Sequence, residues 1–140
     1  MKCNTCSGAL IFAKNTERFL FLHRTRSSQP NTWGIVGGTI EQSETAWIAL
    51  KREIQEEIGE IEVVKSIPLE TFVSRDKKFY FYTYMCLVDK EFRPSLNDEH
   101  NGYAWVEYTN WPKPLHYGLR NTLSKKVNCL KIETVLQTLM

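Results

Sequence analysis

The chain has 140 residues, 42% of them hydrophobic, which is enough for one packed core and calls for no second domain. Eighteen basic residues against 16 acidic ones give a net charge of +2, which argues against nucleic-acid wrapping and membrane adsorption. Because no apolar run reaches transmembrane length and the N-terminal one is too short for a secretory signal, we expect a cytoplasmic protein.

Four cysteines are too few for a disulfide scaffold in a chain of this length. Cys3 and Cys6 form a CxxC pair, a spacing found in zinc sites and in redox dithiols. Structural zinc needs four ligands, and neither Cys86, Cys129 nor the histidines supply a second pair at a matching spacing. We therefore interpret the pair as ordinary reduced thiols beside the first strand, without an assigned function.

Short β-rich runs begin the chain. Gly8–Ala13 and Arg18–His23 are separated by a four-residue polar turn, a pattern that predicts a β-hairpin. Trp33–Gly38 predicts a further short strand that ends in a glycine pair, where the backbone can approach a neighbour closely.

A helix is predicted after the glycine pair, with Ser43 as N-cap, Glu44 in the first turn and Gly59 as the stop. Along it, apolar positions at the start continue at helical spacing into Glu53 and Glu57. The face that begins apolar and inward therefore becomes acidic without turning outward. Inward carboxylates require partners.

Glu53, Glu56 and Glu57 span roughly 100° of the helix, so we expect all three to point into one volume, with Arg52 beside them. A solvated acidic face is the simpler alternative, and the inward spacing argues against it. Negative charge is also unfavourable at a helix C-terminus, so something must compensate the cluster. Hard divalent cations prefer such oxygen ligands.

The second half reads mostly as sheet. Strands are predicted over Glu62–Ile67, Glu70–Ser74, the aromatic run Phe79–Tyr84 and Tyr103–Val106, with a polar loop over Arg93–Gly102. The chain ends in a predicted amphipathic helix whose apolar residues are Leu130, Val135, Leu136 and Leu139. The predicted order, in which strands are followed by a helix and this pattern occurs twice, favours an α/β or α+β fold with helices covering a mixed sheet.

The segment from Gly38 to Glu60 resembles the Nudix box, the signature helix of the Nudix hydrolase family. A chain of average composition would match its positions with a probability on the order of 10⁻⁷. The segment departs from the box at Glu60, where an aliphatic residue is usual, and Val36 stands where proline is frequent. The resemblance implies an α/β/α sandwich with a mixed β-sheet between helices. The matching residues are Gly38, Glu44, Arg52, Glu53, Ile54, Glu56, Glu57 and Gly59.

The resemblance also implies an activity: hydrolysis of a nucleoside diphosphate linked to another moiety, by attack of water on a phosphorus, with Mg²⁺ or Mn²⁺. By the same resemblance Arg52 orients Glu53, Glu44 supports the loop and the helix start, and one glutamate is a candidate base. Homodimers are common in the family. The implied metal ligands are Glu53, Glu56, Glu57 and a carbonyl of Gly37 or Gly38.

Many family members use one more carboxylate from outside the box. Here Glu99, just before the strand at Tyr103, is our first choice as metal ligand or general base, and a solvated turn is the alternative. Arg24 and Arg26 are candidates for phosphate binding, with plain surface charge as the alternative. Candidates for contacts to the nucleoside are Trp33, Tyr82, His116 and Asn121.

The substrate is less constrained. The region after the box, Ser74–Lys77, lacks the proline typical of ADP-ribose hydrolases and the tyrosine typical of dinucleoside polyphosphate hydrolases. A (d)NTP or a nucleotide sugar is therefore favoured, with the other two classes as alternatives. A non-catalytic nucleotide-binding regulatory module would be expected to lack a box glutamate, and none is lacking. A purely structural domain would make the acidic cluster coincidental.

Overall fold

The structure is a computed structural model that describes residues 4–26 and 29–139, so Cys3 lies outside the described residues. In chain order the elements are β1 (Asn4–Ala13), β2 (Arg18–Arg24), β3 (Trp33–Gly34), β4 (Val36–Thr39), α1 (Ala46–Ile58), β5 (Lys65–Val73), β6 (Phe79–Val88), β7 (His100–Glu107), α2 (Tyr117–Ser124) and α3 (Lys126–Thr138).

Strand β1 organises the mixed sheet, which has seven strands within the described residues. It runs parallel to β6 over its whole length, and it pairs in antiparallel fashion with β2, as the predicted hairpin requires, and with β4. Strands β3 and β7 pair with β2, and β5 pairs with β6. Because the second half of β1 is covered on both faces, residues Ala9–Ala13 form an unbroken apolar run rather than an alternating one.

Helices cover both faces of this sheet. Alternate residues of the strands face opposite sides, so that Ile11 and Leu20 pack with Leu50 of α1, whereas Phe12 and Phe19 pack with α2 and α3. The predicted α/β/α sandwich with a mixed sheet is therefore confirmed. No helix among the described residues is long and apolar enough to span a membrane.

The predicted start of α1 was wrong by two residues. Thr45 is the N-cap, and its hydroxyl accepts a hydrogen bond from the Ile48 amide at 3.2 Å. Ser43 has a φ of 89°, so it belongs to the turn before the helix and is not its N-cap. Gly59 ends the helix as predicted, with φ of 96° that favours glycine, and its amide bonds to the Gln55 carbonyl.

Other boundaries also differ from the predictions, and the single strand predicted over Trp33–Gly38 is divided at Ile35 into β3 and β4. The strands predicted on either side of Pro68 form one strand, β5, whose pairing shifts at a bulge between Pro68 and Glu70. Strand β7 begins at His100, inside the predicted loop, and α2 was not foreseen as a separate helix.

The predicted face of the last helix was only partly right. Leu130 is 53% exposed and Leu139 is also exposed, because the inward face of α3 carries Asn128 and Ile132 instead. Val135 and Leu136 pack against the core beside Ile132, as their spacing of three and four residues requires.

Candidate active site

The acidic end of α1 lies against the glycine strand β4. The helix buries Leu50, Ile54 and Ile58 against the sheet, and Glu57 lies on the same face with only 3% of its surface exposed. A carboxylate on the buried face of a helix needs polar partners. One is the Gly37 amide, which donates to Glu57 Oε1 at 3.3 Å.

Glycine is required at both positions of the pair for reasons of space. A Cβ on Gly38 would lie 2.5 Å from the carboxyl carbon of Glu53, and a Cβ on Gly37 would overlap the Ser7 carbonyl oxygen of β1. Strand β4 can therefore approach β1 on one side and Glu53 on the other only because positions 37 and 38 carry no Cβ.

Glu53 and Glu57 form a carboxyl pair. Burial, the hydrogen bond between the two carboxyl groups and the charge of Glu53 together raise the pKa of Glu57 well above its ordinary value. A cation placed beside the two carboxyl groups would favour their ionised forms instead.

Glu56 diverges from this pair, contrary to the expectation that all three glutamates point into one volume. Its side chain is 54% exposed, compared with 14% for Glu53. The reason is rotational: Glu56 lies roughly 60° from Glu53 on the side away from the buried face, and Glu57 lies roughly 40° toward that face. Glu56 stays near Glu53 because both accept from Arg52 Nη1, at 3.3 and 3.0 Å.

Arg52 ties the cluster to the loop before the helix. Its Nε and Nη2 donate to the two carboxylate oxygens of Glu44 at 2.8 and 2.9 Å, and Nη2 also donates to the Thr39 carbonyl at 3.1 Å. Glu44 in turn accepts from the Glu41 amide at 2.9 Å. The hydrogen bonds from Arg52 and that amide lower the pKa of Glu44 to about 2, and the bonds to Glu44, Glu53 and Glu56 raise the pKa of Arg52. Such bidentate bonding fixes the guanidinium in one orientation.

A cavity of about 630 Å³ adjoins the carboxyl pair. Glu57, Gly37 and Gly38 form part of its wall, and Glu99 and Arg24 are also at the cavity. Most of the remaining wall comes from the sheet and from α2 with its N-cap. Its aromatic and polar side chains include Phe72, Phe79, Phe81, Thr83, His116, Tyr117, Asn121 and Thr122.

The structure brings Arg24, His116 and Asn121 to this cavity, together with Glu99. The charges of Glu57 and Glu99 act on Arg24, although burial still lowers its pKa. His116 is the N-cap of α2: its Nδ1 accepts from the Gly118 and Leu119 amides.

Arg26, Trp33 and Tyr82 do not line the cavity. Arg26 lies on the surface 3.1 Å from Asp98, with both side chains mostly exposed. Trp33 packs into the core beside His23. Tyr82 alternates with Phe81 along β6, so it faces the opposite side of the sheet from the cavity.

Sequence reasoning missed several polar cavity residues, and two of them, Cys6 and Gln29, show why. Cys6 lies in β1 opposite Thr39 of the glycine strand, and the predicted closeness of that strand to a neighbour was the only signal for it. Gln29 bonds α2 through its side chain, whose Oε1 accepts from the Tyr117 amide at 2.6 Å. This contact joins residues 88 positions apart, and no local pattern indicates it.

The donor set at the carboxyl pair fits a hard divalent cation. Glu57 presents carboxyl oxygens beside the backbone of Gly37, Glu53 does so beside Gly38, and Glu99 is close enough for its charge to act on Glu57. Within residues 4–26 and 29–139, no three His, Cys, Asp or Glu side chains already form a closed metal-binding group. Glu56, which accepts a bond from Arg52, and Glu99 are both exposed, so solvent leaves room for their side chains to adjust.

Comparison with known proteins agrees with this geometry. A family model described as the NUDIX domain matches residues 5–125. The chain is 32% identical over 114 residues to the nucleoside triphosphatase NudI of Escherichia coli, covering 73% of this chain and 77% of that protein.

Solved structures show the same fold. A MutT NUDIX hydrolase from Burkholderia pseudomallei superposes with a TM-score of 0.68 at 24% identity, over 88% of this chain and 97% of that one. The Nudix hydrolase RenU from M. smegmatis gives 0.76 at 20% identity, over 99% and 88%. With the family model spanning most of the sequence, this chain belongs to the Nudix hydrolase family.

Proposed function

We propose that this Nudix hydrolase is a Mg²⁺-dependent pyrophosphohydrolase of (d)NTPs or nucleotide sugars, with Mn²⁺ able to substitute. The products are a nucleoside monophosphate and a phosphorylated product, which is pyrophosphate for a (d)NTP. The observation that carries the proposal is the carboxyl pair of buried Glu57 and half-buried Glu53, with Glu57 at a cavity large enough for a nucleotide. The similarity to a nucleoside triphosphatase supports a (d)NTP first.

The proposed metal ligands are Glu53, Glu56, Glu57 and Glu99, with a carbonyl of Gly37 or Gly38. When bound, the metal neutralises phosphate charge and lowers the pKa of a water molecule. Arg52 holds Glu53 in position through the 3.0 Å bond.

In the reaction, the water oxygen forms a bond to phosphorus, the phosphoanhydride P–O bond breaks, and the leaving phosphate takes the electron pair. The proton of the attacking water goes to a carboxylate, and Glu99 is the proposed acceptor because it lies at the cavity and is exposed. Arg24, from its place on the same cavity, is proposed to bind a phosphate oxygen.

The nucleoside is proposed to lie between the aromatic side chains Phe72, Phe79 and Phe81 and helix α2, where His116 and Asn121 supply polar contacts. Cytoplasmic location is proposed from the reduced cysteines Cys6 and Cys86, which form no disulfide. The homodimer stays a prediction that light scattering would test.

A substrate panel with and without Mg²⁺ tests the proposal. It includes dNTPs, NTPs, nucleotide sugars, ADP-ribose and dinucleoside polyphosphates, with products separated by anion-exchange chromatography. We expect Mg²⁺-dependent release of pyrophosphate from a (d)NTP, lost in Glu57→Gln and retained in the exposed control Glu62→Gln. Turnover by Glu57→Gln equal to that of the wild type would refute the metal assignment, and nucleotide binding without turnover would indicate a regulatory module.

A further inference from the structure

A carboxylate outside the acidic cluster links the sheet to both helices of one layer. Glu70 follows the bulge in β5, and its side chain is only 10% exposed. It accepts hydrogen bonds from Lys125 Nζ at 2.6 Å, Thr122 Oγ1 at 2.8 Å and Asn128 Nδ2 at 3.1 Å. These donors belong to α2, to the junction after it and to α3, so one side chain of the sheet fixes all three segments.

The network is internally complete. Asn128 is 1% exposed, and its Nδ2 also donates to the Thr122 carbonyl at 2.9 Å, which ties the last turn of α2 to α3. Burial raises the pKa of Glu70, but the bonds from Lys125, Thr122 and Asn128 outweigh it, so the pKa lies below its ordinary value. The carboxylate is therefore ionised at neutral pH and depends on its donors.

Two members of the network also connect to the cavity. Thr122 forms part of the cavity wall. Lys125 Nζ lies 5.2 Å from the ring centroid of Phe72, another wall residue, in a cation–π contact. Glu70 itself does not line the cavity, so any effect it has on a ligand passes through these two neighbours.

We propose that Glu70 is a positioning residue for nucleotide binding: through Thr122 and Lys125 it fixes α2 and Phe72 as the wall against which the nucleoside packs. This inference rests on the proposed function. A purely structural link between β5 and the helices is the competing explanation, and it would affect stability without affecting nucleotide affinity.

Steady-state kinetics of Glu70→Gln with the (d)NTP that the wild type hydrolyses best separates the two explanations. We expect KM to rise about tenfold, because the charged hydrogen bonds that hold the wall are lost. The value of kcat should stay within about twofold, since the acidic cluster is untouched. Glu70→Asp keeps the charge and should recover part of the affinity.

Glu91→Gln is the matched control. Glu91 also links distant segments, accepting from Thr16 Oγ1 at 2.6 Å and lying 3.8 Å from Arg18, but neither it nor these two partners line the cavity. We expect its KM to equal that of the wild type. An unchanged KM in folded Glu70→Gln, or an equal rise in both variants, would overturn the proposal. If Glu70→Gln does not fold, Lys125→Met removes one donor and should raise KM about threefold, and an unchanged KM there would also overturn it.

Hydrogen exchange gives a readout that does not depend on turnover. Amides of residues 117–124 should exchange faster in Glu70→Gln than in the wild type, and at the wild-type rate in Glu91→Gln. Equal exchange of this segment in all three proteins would show that Glu70 does not position α2. If the wild type hydrolyses no nucleotide, the proposed function is refuted. The exchange measurement would still test whether Glu70 positions α2.

Discussion

Gly38 and Glu53 share a space that holds only one of their side chains. A Cβ at position 38 would lie 2.5 Å from the Glu53 carboxyl carbon and within 2.7 Å of both carboxyl oxygens of Glu53. The glycine strand is thus fitted to a carboxylate of α1, rather than merely flexible.

Gly38→Ala should therefore displace Glu53. We expect kcat/KM to fall about 100-fold, because an error of about 1 Å in a catalytic group is enough for such a loss. Gly102→Ala is the control, since its Cβ would meet nothing nearer than His23 Cβ at 3.7 Å. Circular dichroism would establish that both variants fold, and wild-type kinetics in folded Gly38→Ala would contradict the assigned role of Glu53.

Arg52→Lys tests the guanidinium as an orienting group. Lysine keeps the charge but cannot bond Glu44 through two oxygens while also bonding Glu53. We expect kcat to fall about 10- to 100-fold, the usual loss for a group that orients metal ligands. Arg18→Lys, which alters a surface arginine 3.8 Å from Glu91, should have no effect on kcat. Equal activities for the two variants would exclude the orienting role.

Glu99→Gln tests the carboxylate contributed from outside α1. If Glu99 is the base or a metal ligand, initial rates at saturating Mg²⁺ should fall about 100-fold or more. Its neighbour Asp98 pairs with Arg26 at the surface, so Asp98→Asn should retain wild-type rates. Retained activity in Glu99→Gln would return this segment to the solvated-turn interpretation.

The N-cap of α2 predicts a pH dependence of stability. Burial and the charge of Arg24 lower the pKa of His116 below its ordinary 6.5. The unfolded chain therefore takes up a proton at this position more readily than the folded protein. The free energy of unfolding should thus fall as pH drops below about 6.5.

His116→Asn removes this titration and keeps a good N-cap side chain. Urea denaturation at pH 7.5 and 5.5 should show a smaller loss of stability at the lower pH for the variant than for the wild type. The buried His100, whose pKa is about 4, contributes equally to both proteins and cancels in the comparison. Identical losses in the two proteins would show that His116 does not contribute.

Local spacing was sufficient for much of the fold. The β1–β2 hairpin, the stop of α1 at Gly59 and the inward position of Glu57 all follow from periodicity and turn chemistry over a few residues. The boundaries that were wrong, at Ser43 and at Pro68, depend on a turn with positive φ and on a bulge. Neither leaves a distinct periodic signal.

The cavity depended on contacts over long separations. The parallel pairing of β6 with β1 decided that Phe81 rather than Tyr82 reaches the cavity. The end of β2 decided that Arg24 rather than Arg26 does so. The sequence by itself determined the Nudix helix and its acidic chemistry, because helical spacing is local. Only the tertiary structure decided which glutamates pair and which side chains form the wall, because these contacts join residues far apart in the chain, such as Gly37 with Glu57 and Gln29 with Tyr117, which are 20 and 88 positions apart.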